Sequence, residues 1–358
     1  MKKCVIYGSY GYSGNLIAEI ASTSGKPVLL SGRNEEKLAK QAERLGLNYQ
    51  KASLESEEEM DALLREAAVV IHCAGPFTHT WKPMAKACLR NRCHYLDITG
   101  EIDVFESLKR LGSAFKEKHL MAMPGVGFDV VPTDCVAVRL CEKLPDAVNL
   151  ELAFWSLRSG VSQGTAKTMI ENLGKGGLIR ENGKLKRVPA AYKSKTIHFG
   201  KRSSTAVSIP WGDVSTAYTS TGIENIVVYM AAPNRMIRLM KLSNYIKPIL
   251  GSNWLKTYLK KKIERKPAGP GKEELEKGRS LIWGRAENEK GESEEVIIQT
   301  PEGYKLTAET AWLIAGKILN GDVKPGYQTP AGCYGPELIF EIEETKQIFT
   351  KEQGKNYN

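Results

Sequence analysis

The chain has 358 residues, 42% hydrophobic and 26% charged, with 51 Lys/Arg against 41 Asp/Glu and a net charge of +10. That length suits about two domains and a core that needs no covalent staples, and the ordinary apolar content excludes a disordered chain. No apolar run reaches the roughly 18 to 20 residues of a membrane-spanning helix.

The seven cysteines are odd in number and contain no Cys-x-x-Cys pair. They make a poor disulfide framework. Cys88, Cys93 and His94 cluster at a spacing that fits no common zinc site and read as core packing, so no metal is expected. A strand-like run begins almost at the first residue, leaving no room for an apolar signal region. The expected compartment is therefore a reducing cytoplasm.

In chain order, a strand is expected over 4–7, a helix over 15–22 and a strand over 27–30. A charged helix follows over 35–45, with Leu38, Ala42 and Leu45 on one side, and a second over 57–66. The strong strand over 68–71 leads to a helix over 82–90, a strand over 94–97, a helix over 102–117 and a strand over 120–123. Strands alternating with helices predict a parallel sheet with crossover helices. The run Val69-Val70-Ile71 suits a strand covered on both faces. From about Gly125 the pattern changes, and strand-like runs over 149–155, 205–209, 226–230 and 295–300 are irregularly spaced.

The first strand runs into Gly8-Ser9-Tyr10-Gly11-Tyr12-Ser13-Gly14, with glycines at every third position, and a helix follows. A tight turn and close approach to a pyrophosphate both need a residue without Cβ, and the helix N-terminus offers N–H groups to phosphates. Between an N-terminal strand and a helix, this loop predicts a dinucleotide site. The plain alternative is an ordinary glycine turn. Where a carboxylate would meet a free ribose 2′-OH, the second strand ends in Ser31-Gly32-Arg33-Asn34. Arg33 can pair with a 2′-phosphate and stack on adenine, so NADP(H) is expected over NAD(H). The other reading of Arg33 is a turn residue. The fourth strand runs into Cys73-Ala74-Gly75-Pro76-Phe77, where the small residues leave room for the cofactor to cross. His72 before them reads as structural rather than as a proton donor.

The expected fold class is α/β. A Rossmann NADP-binding domain with a parallel sheet spans 1–125, and an α+β substrate or dimerisation domain with a mostly antiparallel sheet spans 126–325. The segment 326–358 is expected to pack back on the first domain, with TPAGCYGPELIFEIEE over 329–344 as a helix.

Taken together, GSYGYSG, SGRNEEKL, HCAGPF, HYLDITGE and PGVGFDVVPTD resemble, in that order, the NADP-binding domain of saccharopine dehydrogenase-like oxidoreductases. SGVSQGTAKTM, GYKLTAETA and QTPAGCYG resemble later motifs, and the whole is similar both to saccharopine reductases and to trans-acting enoyl reductases. The first of these departs from the family's Ser-Gly-Gly-Thr stretch by Val161, Ser162 and Gln163 between Gly160 and Gly164. The resemblance implies hydride transfer to or from a C=N, C=O or C=C bond of a small molecule, and a homodimer. Glu101, in the loop after the fifth strand, and Asp129, after the sixth, are the candidates for proton handling or contacts near the nicotinamide. The competing reading for both is loop anchoring, with Asp129 as a helix N-cap. A dinucleotide-binding sensor or scaffold without turnover is the alternative function. The one Tyr-x-x-x-Lys match, Tyr258 with Lys262, lies far beyond the parallel sheet and reads as coincidence.

Residues 235–279 hold 13 Lys/Arg against four Asp/Glu, so nine of the ten net charges sit in one segment. Trp254, Leu255, Tyr258, Leu259 and Ile263 fall at helical spacing among its lysines. The plainer reading is a helix that packs this stripe on the domain. The other is weak contact with a membrane surface through 235–265. No recognition motif or aromatic platform points to nucleic acid.

Overall fold

Six strands met in succession build the first sheet of the computed structural model, which describes residues 2–351. They are β1 (Lys3–Tyr7), β2 (Val28–Gly32), β3 (Asn48–Lys51), β4 (Ala67–His72), β5 (His94–Asp97) and β6 (Met121–Met123). All pair in parallel, in the spatial order 3-2-1-4-5-6, and the two-residue strand Gly326–Tyr327 adds a seventh beside β6. Crossovers are the helices α1 (Tyr12–Ser22), α2 (Glu35–Leu45), α3 (Glu57–Leu64) and α4 (Phe77–Asn91), and the pair α5 (Ile102–Arg110) and α6 (Gly112–Glu117). This is the doubly wound order whose direction reverses at β1, between β2 and β4. The crevice beyond the carboxyl ends of those strands is the ligand position of such sheets. Val5, Tyr7, Val70, Tyr95 and Leu108 anchor a core that also buries Cys88 and Cys93.

The second sheet has nine strands and is mixed but mostly antiparallel. Its spine runs Ser194–Phe199, Arg202–Ser208, Asn225–Ala231, Ala147–Leu157, Arg279–Asn288, Ser293–Pro301 and Lys346–Lys351, with one parallel ladder, between Ala147–Leu157 and Asn225–Ala231. A side chain at Gly284 would collide with Val136 on the helix Val131–Lys143, which fixes how closely that helix lies on the central strand.

The chain divides into two units. One is the chain up to Val131 together with Tyr304–Cys333; the other is Pro132–Gly303 together with the chain from Tyr334 onward. The division read from the sequence at 125 and 325 therefore runs differently, because residues 304–325 lie with the first unit. Of the helix expected over 329–344, Pro330–Tyr334 forms as an α-helix and the rest does not. Gly326–Tyr327 completes the first sheet as an edge strand, whereas the 3-10 turn Pro336–Glu341 and the strand Lys346–Lys351 lie in the second unit. Residues 352–358 of that segment lie outside the described residues.

Packing of the apolar stripe in the basic segment holds in part: Leu255, Leu259 and Ile263 are half-buried, but its two aromatic residues are not. The helix Asn253–Ile263 buries none of its residues, and Trp254 is 68% exposed and Tyr258 61%. Lysines add to that attachment. Lys256 donates to the Glu171 carbonyl and Lys260 pairs with the Glu171 carboxylate, which turns the aromatic face outward. Among the described residues no helix is long and apolar enough to cross a membrane.

Candidate dinucleotide site

Gly8 follows β1 with φ +79°, a left-handed conformation that disfavours side chains, and a Cβ there would lie 2.9 Å from the Ala74 nitrogen. The loop after β1 thus touches the loop after β4 backbone to backbone. At Gly14 a Cβ would collide with the Gly8 carbonyl oxygen and lie 3.0 Å from Ser9 Cα. Both glycines are required by closeness, so α1 starts directly against the turn. The N-cap of α1 is Gly11, no side chain caps the helix, and no acidic residue stands in its first turn. Tyr12 and Ser13 therefore open a helix whose positive end lacks a competing side-chain anion.

The neighbouring helix end is different. Both Glu101 carboxylate oxygens engage the start of α4, accepting from the Phe77 and Thr78 backbone N–H groups at 2.9 Å each and from the Thr78 hydroxyl. This long-range cap starts α4 at Phe77, five residues before the expected position, with Pro83 inside the helix. Glu101 thereby fixes the loop Cys73–Phe77, in which the Gly75–Pro76 peptide is cis. Of these loop residues, Cys73 and Ala74 are half-buried, Gly75 is exposed and Phe77 packs into the core. Burial pushes the Cys73 thiol well above its ordinary range.

Beyond β2, Arg33 is exposed. Asn34 caps α2, its side chain accepting from the Lys37 N–H at 2.9 Å, while its own N–H donates to the Tyr10 hydroxyl at 3.2 Å. Tyr10 lies so close over Gly32 that a Cβ there would sit 2.7 Å from its ring. The Lys37 ammonium is 5.8 Å from the Tyr10 ring centroid. The structure thus gathers Tyr10, Arg33 and Lys37 at one corner. Lys37 escaped the sequence reading because its position in a charged helix looked like solvated surface. Ser31 faces away, its hydroxyl donating to the Gln50 carbonyl.

Two carboxyls follow β5 and β6. Asp97 is fully buried and accepts from the Tyr95 hydroxyl at 2.5 Å and from the Thr99 and Gly125 N–H groups at 3.0 and 2.9 Å. Burial pushes its pKa up to about 6, against those hydrogen bonds. It is a brace between two loops. Asp129 is part-buried and accepts no hydrogen bond among the described residues, so no N-cap forms there. Desolvation pushes its pKa up to about 7. A Cβ on Gly100 would lie 2.6 Å from Asp129 Oδ2, so the two loops meet at that carboxyl. His72 is buried among Tyr7, Phe77 and Tyr95, with Nε2 2.9 Å from the Thr80 hydroxyl, and burial pushes its pKa down to about 3. It stays a neutral core residue.

A contact that sequence reasoning missed supports the Asp129 loop. The helix Gly303–Leu319, far along the chain, presents Thr310 to the Val126 carbonyl at 2.8 Å and Thr307 to the Phe128 N–H at 3.0 Å. Tyr304 stacks edge-on against Tyr12, with ring centroids 5.1 Å apart. The motif GYKLTAETA was visible in the sequence, but nothing local said what it touches.

The cradle of glycines, the uncapped helix and the basic corner fit a dinucleotide phosphate, and comparison with known proteins agrees. Residues 4–123 match the saccharopine dehydrogenase NADP binding domain. The chain is 27% identical over 213 residues to a saccharopine dehydrogenase-like oxidoreductase of Bos taurus, covering 52% of this chain and 50% of that protein. It is 30% identical over 151 residues to a trans-acting enoyl reductase of Mycobacterium leprae, covering 39% of this chain and 35% of that one. The chain spans about half the length, or less, of these curated relatives. In fold it is similar to apo saccharopine dehydrogenase (L-Glu forming) from Saccharomyces cerevisiae, with TM-score 0.65 and 13% identity over 98% of this chain and 100% of that chain. The resemblance to saccharopine dehydrogenase-like NADP-binding oxidoreductases and the NADP expectation both hold.

Proposed function

We propose that the chain is an NADP(H)-dependent oxidoreductase acting on a C=N, C=O or C=C bond of a small-molecule substrate. The observation that carries this reading is the contrast between two helix ends on one sheet edge. The α4 end is closed by the Glu101 carboxylate, whereas the α1 end is uncapped and shaped by glycines that admit no side chain. Only the second end offers a pyrophosphate N–H groups without a competing carboxylate. When bound, the nicotinamide supplies the hydride chemistry.

In this reading Gly8, Tyr10, Gly11, Tyr12, Ser13 and Gly14 hold the pyrophosphate and its flanking sugars. Arg33, with Lys37 and Tyr10, recognises the adenosine end and its 2′-phosphate. The Asn34 side chain contributes by capping α2. Cys73, Ala74, Gly75, Pro76 and Phe77 form the ledge over which the cofactor crosses, and Glu101 is a positioning residue that holds that ledge. Asp129 holds or moves a proton at its carboxyl, whose pKa of about 7 suits exchange near neutral pH. The homodimer and the cytoplasmic location belong to the same proposal, the latter supported by seven cysteines that form no disulfide among the described residues.

The test is cofactor titration. Arg33→Ala should weaken NADPH binding by about tenfold or more, the scale of one lost charge-assisted pair, and leave NADH binding within about twofold. Equal losses for both cofactors would overturn the assignment at that corner.

A further inference from the structure

We propose that the three short helices Asn234–Ser243, Lys247–Leu250 and Asn253–Ile263 form a docking surface for an anionic lipid bilayer. Among the described residues thirteen large hydrophobic side chains are exposed, and seven of them lie within 239–258. Leu239, Leu242, Tyr245, Ile249, Trp254 and Tyr258 are each more than half exposed. Single exposed apolar residues are ordinary, but such a concentration marks an interaction surface.

The way these helices are attached makes the arrangement deliberate. Ile237 is the one buried side chain among the three helices. Met236, Met240, Leu250, Leu255, Leu259 and Ile263 are half-buried, and the remaining anchors are polar. Asn244 exchanges hydrogen bonds with the Ala190 backbone at 2.8 and 3.0 Å, Lys260 pairs with Glu171, and Lys167 pairs with Glu264 at 2.8 Å. The segment is thus fastened by half-buried aliphatic residues and polar contacts, and turns Leu239, Leu242, Tyr245, Ile249, Trp254 and Tyr258 to solvent.

Charge decides the occupant. The one acidic residue within 235–265 is Glu264, already paired with Lys167. Arg235, Arg238, Lys241, Lys247, Lys262 and Arg265 are exposed and form no ion pair among the described residues. A second copy of the chain on a two-fold axis would set these cations against themselves, since such an interface meets its own patch. Nucleic acid would meet the cations but leave the aliphatic groups unburied. A membrane interface rich in anionic lipid satisfies both, placing Trp and Tyr at headgroup level and lysines against phosphates. This inference does not depend on the oxidoreductase reading.

The experiment is co-sedimentation of the full chain with vesicles of phosphatidylcholine alone and with about one-third phosphatidylserine added, at near-physiological salt. Binding is expected to the second and not the first. Lys262→Glu with Arg265→Glu should weaken it at least about twentyfold, taking roughly fivefold per cation removed. Trp254→Ser with Tyr258→Ser should remove the fraction that persists at high salt. All four positions are exposed, and circular dichroism with thermal unfolding checks that the variants fold. The proposal is overturned if phosphatidylserine vesicles fail to sediment the native chain, or if all variants bind alike. It is equally overturned if the patch retains only nucleic acid, or only mediates self-association, without vesicle binding.

Discussion

Asp129→Asn isolates a carboxyl whose pKa is raised by desolvation alone. In the native chain its pKa rises from 3.8 to about 7. At ~1.4 kcal/mol per unit that shift amounts to about 4 kcal/mol, and because the group is part-exposed, screening reduces it to about 2 kcal/mol. The sign follows from proton counting. Between about pH 4 and pH 7 the unfolded chain loses this proton while the folded chain keeps it, so folding stability falls as pH rises and levels off above 7. Asparagine has nearly the same shape and no charge. The variant should match the native protein near pH 4 and exceed it by about 2 kcal/mol above pH 7. Asp97, whose pKa is also raised, to about 6, is common to both proteins and cancels in the difference. Urea unfolding at intervals from about pH 4 to pH 8 measures that difference directly. Two parallel curves would refute the desolvated carboxyl and, with it, the reason for giving Asp129 the proton.

The remaining predictions concern the frame around it. Gly14→Ala forces a Cβ into the Gly8 carbonyl, a backbone clash that no rotamer relieves, so NADPH affinity should fall on the order of a hundredfold as α1 moves by about an ångström. Gly11→Ala, whose Cβ would lie 3.2 Å from the same oxygen, should bind NADPH within severalfold, and fluorescence titration separates the two. Glu101→Ala leaves the Phe77 and Thr78 N–H groups without their acceptor and should cost about 1–3 kcal/mol in denaturant unfolding, whereas no change would mean that water caps α4 equally well. Thr310→Val removes the hydroxyl held by the Val126 carbonyl and should destabilise by about 1 kcal/mol; unaltered stability would show that the loop before Asp129 needs no such support.

The first sheet was legible because its central strands are buried on both faces and its crossover helices carry regular apolar stripes. Legibility failed where structure depends on distant partners. The edge strand Asn48–Lys51 has the exposed sequence NYQK and no apolar alternation, so only its pairing with β2 reveals it. The first turn of α4 was invisible because its cap comes from Glu101, 24 residues on. In the site, the glycine spacing and Arg33 could be read directly. Lys37 and the two threonines that hold the Asp129 loop could not, since each matters only through a neighbour brought by the fold. The basic segment shows a mixed case, in which the helical stripe is half-buried at Leu255, Leu259 and Ile263 while its aromatic residues stay exposed and lysines add to the attachment.

The chain leaves the first unit at Val131 and returns to it at Tyr304. During synthesis, about 170 residues of other structure must therefore emerge before the parallel sheet receives its seventh strand and the loop ahead of Asp129 receives Thr307 and Thr310. A gene fragment ending at the apparent close of the dinucleotide domain would encode the glycine turn and Arg33 but lack the helix against which Tyr12 stacks. Modular as it looks on paper, the nucleotide half is finished by residues 304–333, so excising it calls for a spliced chain that keeps them.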